Sequence, residues 1–255
     1  MKPLYLPRFL RVLLLVSMFT IAGCGSADEA DPPSRESPAE GSAEAPTAPV
    51  PDAAPDIAAG EVHVLVLGNS IAAGLGLSPE ESFPALLQDR AEARGWPVQV
   101  TNAGVSGDTS AGGLSRIDWL LDDRVDILII ELGGNDGLRG LDPSVTQQNL
   151  GQIIETARDK QPGIQIILGS MQIPPNMGQA YTARFRGVYQ QVAAAYDVPR
   201  VPIVPDDLAS VSDYIQDDGI HPTAEGQELI ASNVWETLGP MLEAAVEERT
   251  AAVAE

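Results

Sequence analysis

The chain carries one cysteine, Cys24, among 255 residues. No intramolecular disulfide can form, so any fold must be held by buried apolar side chains. Lysine is nearly as scarce, with Lys160 the only one beyond Lys2. At a formal net charge of −21 there is no basic stripe to neutralise phosphates, which excludes nucleic acid as a partner. The acidic surface is read as a source of solubility rather than as the mark of a partner. Histidine is limited to His63 and His221. With no cluster of His and Cys, no metal centre is expected, and no cofactor. The apolar stretch Val12–Ile21 is too short to cross a bilayer as an ordinary helix.

What is present begins with a targeting segment. Lys2, Arg8 and Arg11 form a basic region ahead of that apolar stretch. Ile21-Ala22-Gly23-Cys24 then resembles the lipobox of bacterial lipoproteins. The resemblance implies that residues 1–23 are a signal peptide, that Cys24 is lipidated, and that the lipid anchors the protein in a membrane of the cell envelope. A plain secretory signal is the alternative. Gly25-Ser26 has no aspartate at its second position. By analogy with enterobacterial sorting this points to the outer membrane, on its periplasmic side. Residues 24–60 are rich in Ala, Pro, Glu, Asp and Ser without periodicity, and are expected to form a disordered acidic linker. A single domain is expected over 61–247, followed by a flexible tail at 248–255.

Within the domain, strand-like runs alternate with helix-like stretches. The strands are expected at His63–Leu67, Val98–Asn102, Asp126–Leu132, Ile164–Ser170 and Val201–Val204. Several are nearly continuous Val, Ile and Leu, the pattern of strands covered on both faces. Helices are expected at Phe83–Arg94, Gly113–Leu121, Val145–Lys160, Ala180–Tyr196 and Ala224–Val246. Thr223 suits the cap of the last, and Gly226 reads as an internal weakness. Such alternation predicts a parallel α/β sheet with helices on both faces. In that architecture ligands bind beyond the carboxyl ends of the strands, where the polar motifs of this chain fall.

Ser70 follows the first strand between Gly68 and Gly74. A helix beginning there would offer N–H groups to a developing oxyanion, although a serine so placed can equally be a helix cap. Asn102–Ser110 follows the second strand, and its Gly104 and Gly107 suit a tight loop whose N–H approaches a ligand. Glu131–Gly140 follows the third, with the Asn135 amide as a candidate oxyanion donor; an ordinary turn is the alternative. In Asp218-Gly-Ile-His221-Pro222, His221 can take a proton from Ser70 while Asp218 fixes its tautomer. Asp217 is the rival carboxylate. His63 is read as a strand residue near the sheet's edge.

Together Gly-Asn-Ser-Ile at 68–71, Ser-Gly-Asp-Thr-Ser at 106–110, Gly-Gly-Asn-Asp at 133–136 and Asp-Gly-Ile-His-Pro at 218–222 resemble the four blocks of the SGNH, or GDSL, hydrolases. The longer phrases are most similar to the bacterial periplasmic thioesterase/lysophospholipase/arylesterase branch. The resemblance implies a flavodoxin-like three-layer sandwich around a five-stranded parallel sheet. It also implies an Ser70, Asp218 and His221 triad, with oxyanion donors from Ser70, Gly107 and Asn135. Asn69 stands where the family signature has aspartate, and the expected consequence is altered turn electrostatics rather than lost chemistry. The substrate implied is a small ester or a lipid-like acyl compound. Met171, Ile173, Pro174, Met177 and Tyr181 lie in an apolar loop after the fourth strand and are candidates for an acyl groove, or else for packing over the sheet. Rival functions are deacetylation of a polysaccharide and a non-catalytic binding module.

Overall fold

The computed structural model describes residues 60–173, 175–204 and 212–253. The expectations about the signal peptide, Cys24 and the linker fall outside these residues, as does Pro174. Five strands form the sheet: β1 (Val62–Gly68), β2 (Val98–Gly104), β3 (Ile127–Glu131), β4 (Gln165–Ser170) and β5 (Arg200–Pro202). Their order is β2-β1-β3-β4-β5 and every pairing is parallel. Both β1 and β3 are buried along their whole length, as their continuous apolar sequences require.

The helices are α1 (Phe83–Glu92), α2 (Ser110–Leu120), α3 (Gly134–Leu138), α4 (Pro143–Lys160), α5 (Gln179–Tyr196) and α6 (Ala224–Val253). Of these, α1 and α6 pack together on one face of the sheet, while α2, α4 and α5 form the layer on the other. This is the flavodoxin-like α/β/α sandwich. Local chemistry sets the helix starts. Thr109 Oγ1 accepts from Gly112 N at the head of α2, and Asp142 accepts from Ser144 N at 3.0 Å ahead of Pro143 in α4. Thr223 does cap α6, its hydroxyl accepting from Gly226 N at 3.2 Å.

The order of strands reverses direction at β1. Chain leaves β1 for the edge strand β2, then returns past β1 to β3, so the carboxyl ends of β1 and β3 flank the switch point where open sheets bind ligands. Register sharpens this: Gly68 pairs with Gly104 on one side and with Glu131 on the other. Three loops therefore leave the sheet side by side.

Several expectations are corrected. The last helix continues to Val253 in place of a tail beginning at 248, because Arg249 pairs with Asp126 and Thr250 bonds back to the Val246 carbonyl. Gly226 is a close-packing site rather than a weak point, since a Cβ there would lie 2.3 Å from the Tyr214 carbonyl oxygen. No helix begins at Ser70; a run of turns separates it from α1, and α3 occupies a segment read as loop. His63 is not at an edge: β1 is an interior strand, and the side chain is buried.

Candidate active site

The turn after β1 is built around a carboxyl group. Glu131, the last residue of β3, is fully buried, and its Oε2 accepts the N–H groups of Asn69 at 2.9 Å and Ala72 at 3.2 Å. Asn69 Oδ1 accepts from Ile71 N at 2.9 Å, while Ala73 N and Leu75 N bond to the carbonyls of Asn69 and Ser70. From Asn69 to Leu75 the Ser70 N–H is left without an acceptor among the described residues. The turn can sit this close to β2 only because residue 104 is glycine: a Cβ there would lie 2.4 Å from Ala73 N.

His221 arrives on the turn that leads into α6, the helix packed beside α1. Its turn is closed by Gln216 N to the His221 carbonyl at 2.8 Å, Gly219 N to the Gln216 carbonyl at 2.9 Å, and a bridge between Ile215 and Pro222. Gln216 Nε2 ties the turn to the Leu75 carbonyl at 2.8 Å. Gln227 on α6 bonds to the Ile71 carbonyl at 2.9 Å and accepts from Phe83 N, joining the same helix to the serine turn. The result is that His221 Nε2 lies 2.8 Å from Ser70 Oγ and Nδ1 lies 2.5 Å from Asp218 Oδ2. Asp218 Oδ1 accepts from the N–H groups of Ile220 and His221. Partial burial pushes this carboxyl up, but the His221 and Ile220 N–H groups and the imidazole outweigh it and hold it down at about 2. It is therefore charged at neutral pH. Asp217, the rival, is exposed, and it is Asp218 that bonds the ring.

The second and third loops supply donors. Gly107 adopts φ +81°, a left-handed conformation in the turn closed by Asp108 N to the Val105 carbonyl. Its carbonyl accepts from Arg139, and the next carbonyl, of Asp108, accepts one N–H of the Asn135 amide at 2.8 Å. The second N–H of that amide has no acceptor among the described residues. Asn135 is presented by α3, whose neighbouring Asp136 is buried and accepts from Ser110 N at 2.8 Å, Ser110 Oγ at 2.5 Å and Thr146 Oγ1 at 3.2 Å. Arg116 fastens the first two loops, donating to the carbonyls of Gly68 and Ala103 and pairing with Asp108 at 2.9 Å.

The GDSL-like Lipase/Acylhydrolase family matches residues 66–229, a span that holds all of these groups. The chain belongs to that family. It is 44% identical over 180 residues to Esterase TesA of Pseudomonas aeruginosa, covering 70% of this chain and 89% of that protein. It is 37% identical over 180 residues to the Thioesterase 1/protease 1/lysophospholipase L1 of Escherichia coli, covering 70% and 84%. Among solved structures it resembles the psychrotrophic esterase EstA from Pseudoalteromonas sp., inhibited by monoethylphosphonate. That match has a TM-score of 0.66 and 32% identity over 71% of this chain and 98% of the other.

In this GDSL-like hydrolase the loop after β4 packs differently from the acyl-groove expectation. Met171 and Ile173 are buried in the core and face α3; a Cβ on Gly134 would lie 3.1 Å from Met171 Cε, and one on Gly137 would lie 2.3 Å from Ile173 Cγ2. They support the helix that carries Asn135. Met177 and Tyr181 are partly buried, with the Tyr181 hydroxyl donating to the Leu141 carbonyl at 2.8 Å. Four of the exposed apolar side chains adjoin site residues in the sequence: Leu75 after the serine turn, Leu138 and Leu141 after Asn135, and Ile220 beside His221. Sequence reasoning missed these, along with Glu131, Arg116, Asp136, Arg139 and Gln227. A charged residue closing the apolar run Ile127-Leu128-Ile129-Ile130 was the one visible signal among them.

Proposed function

We propose that the chain hydrolyses carboxylic esters or thioesters through an acyl-enzyme on Ser70. The observation that carries this reading is the His221 ring, which bridges Ser70 Oγ and the Asp218 carboxylate beside an unengaged Ser70 N–H. His221 Nε2 accepts the hydroxyl proton as Ser70 Oγ attacks the carbonyl carbon. Asp218 keeps the remaining ring proton on Nδ1 and stabilises the imidazolium. Negative charge on the former carbonyl oxygen is met by the N–H groups of Ser70 and Gly107 and by the free N–H of Asn135. His221 then passes its proton to the leaving alcohol or thiol. Water, deprotonated by the same ring, attacks the acyl-serine and restores the enzyme.

Leu75, Leu138, Leu141 and Ile220, with Met177 and Tyr181, favour an apolar acyl group over an acetylated sugar. The names of the relatives span esterase, thioesterase and lysophospholipase activities, and an apolar acyl group suits all three. Hydrolysis of p-nitrophenyl butyrate, a lysophospholipid and an acetylated sugar is the test, with Ser70→Ala as control. The expected result is turnover of the first two, and a loss of about 10⁴-fold or more in the control. Equal rates for the control and the parent protein would overturn the reading.

The proposal includes placement: lipid on Cys24 holds the enzyme at the envelope membrane, and residues 25–60 serve as its acidic tether. The lipobox-like Ile21-Ala22-Gly23-Cys24 supports this. Cys24→Ala is expected to release the protein from the membrane fraction.

A further inference from the structure

We propose that Glu131 is a positioning residue for Ser70, and that the amide at position 69 lets it act without a shared proton. The inference rests on the serine-hydrolase reading above. Glu131 touches neither Ser70 nor any group placed at the reacting atoms; it acts through the turn. Oε2 holds the N–H groups on either side of the serine, at Asn69 and Ala72. Oε1 accepts Asn69 Nδ2 at 2.7 Å. The other end of that amide, Oδ1, accepts Ile71 N at 2.9 Å and lies 3.4 Å from Ser70 Oγ. One side chain at 69 is thus required to donate toward Glu131 and to accept from Ile71. With both demands met, the remaining N–H, that of Ser70, is turned out of the bonded set and toward the substrate side.

An amide satisfies both demands at any pH. Aspartate, the residue of the family signature, offers two acceptors, and would set two carboxyl oxygens against each other across the 2.7 Å contact. Such a pair is stable only while it holds one proton between its members. The titratable groups around it are Arg116, which is paired with Asp108 and bonded to the Gly68 carbonyl, the neutral Tyr189 hydroxyl, which buried Asp136 also faces, and His221 beyond Ser70. With Arg116 already paired to Asp108, an added buried carboxylate would have no counter-ion of its own.

The test is an exchange of amide and carboxyl. Asn69→Asp loses the donor, and Glu131→Gln sets an NH₂ group against N–H donors; each is expected to lower kcat about ten- to a hundredfold with KM little changed. In the double variant the new glutamine donates to the new aspartate, and its carbonyl oxygen still accepts from residues 69 and 72. Most of kcat should return. Asn69→Asp alone should also gain rate as pH falls, relative to the parent, as the carboxyl pair takes up its proton. Losses that simply add in the double variant, losses seen only in melting temperature, or an Asn69→Asp pH profile parallel to the parent's would each overturn the proposal. The hydrolase reading is decided separately, by the parent rate over Ser70→Ala, so failure of one is distinguishable from failure of the other.

Discussion

The two histidines sit at opposite ends of β1 in nearly the same arrangement. His63 Nε2 lies 2.8 Å from the Thr101 hydroxyl and Nδ1 lies 2.7 Å from the Arg124 carbonyl. His221 Nε2 lies 2.8 Å from the Ser70 hydroxyl and Nδ1 2.5 Å from a carboxylate. Each is a hydroxyl–imidazole–oxygen relay, and only one is fitted for catalysis. A neutral carbonyl behind His63 cannot stabilise an imidazolium as a carboxylate does. Burial also lowers the pKa of His63, against the pull of the Arg124 carbonyl and Asp126, so the ring resists the very proton a base must accept. Finally, the Ser70 N–H beside that hydroxyl is unengaged among the described residues. The comparison teaches that a base is defined by what lies behind and beyond it rather than by its nearest contact.

The largest expected effect from breaking this contrast is at the carboxylate. Asp218→Asn, which gives His221 a neutral neighbour like that of His63, should lower kcat by about 10⁴-fold. Removing the Thr101 hydroxyl by Thr101→Val should leave kcat within about twofold, because no reaction passes through it. Steady-state kinetics on one chromogenic ester measures both. An intermediate effect belongs to the oxyanion side: Asn135→Ala is expected to cost about 10²- to 10³-fold in kcat, with Tm nearly unchanged. If the loss fell on KM alone, the amide would be binding the ground state and the assignment would be wrong.

The smallest effect concerns pH and stability. The folded-state pKa of His63 lies below the ordinary imidazole value of about 6.5, so the unfolded chain binds the proton first as pH falls. Its contribution is therefore complete above about 6.5 and is lost as pH falls through the folded value. Melting curves against pH should show this acid limb, and it should be shallower in His63→Gln. An unchanged limb in that variant would remove His63 as its source.

Much of this architecture was legible without coordinates. All five strands were: β1, β3 and β4 are nearly uninterrupted Val, Ile and Leu, as doubly covered parallel strands must be, and the edge strands β2 and β5 are short apolar stretches between helix-like segments. The spacing of Asp218 and His221 was legible because the two meet within one turn. By contrast α3 was hidden: Gly-Gly-Asn-Asp-Gly has every local preference of a turn. The helix exists because Asp136 is held by Ser110 and Thr146, contacts that arise only after folding. Met171 and Ile173 stayed ambiguous for a related reason. Apolar residues in a loop suit a substrate wall or a packed floor equally, and their burial against Gly134 and Gly137 is a tertiary fact. The end of α6 escaped because the Arg249–Asp126 pair spans nearly half the chain.

Because Asp218 and His221 share one short hydrogen-bonded turn, the proton acceptor and its anchor form a cassette. Displacing that turn changes a single distance, the one to the serine, and leaves the couple itself intact. Heating short of global melting should accordingly silence the enzyme in a fully recoverable way. The pair can likewise be transplanted, or lost, in one genetic step.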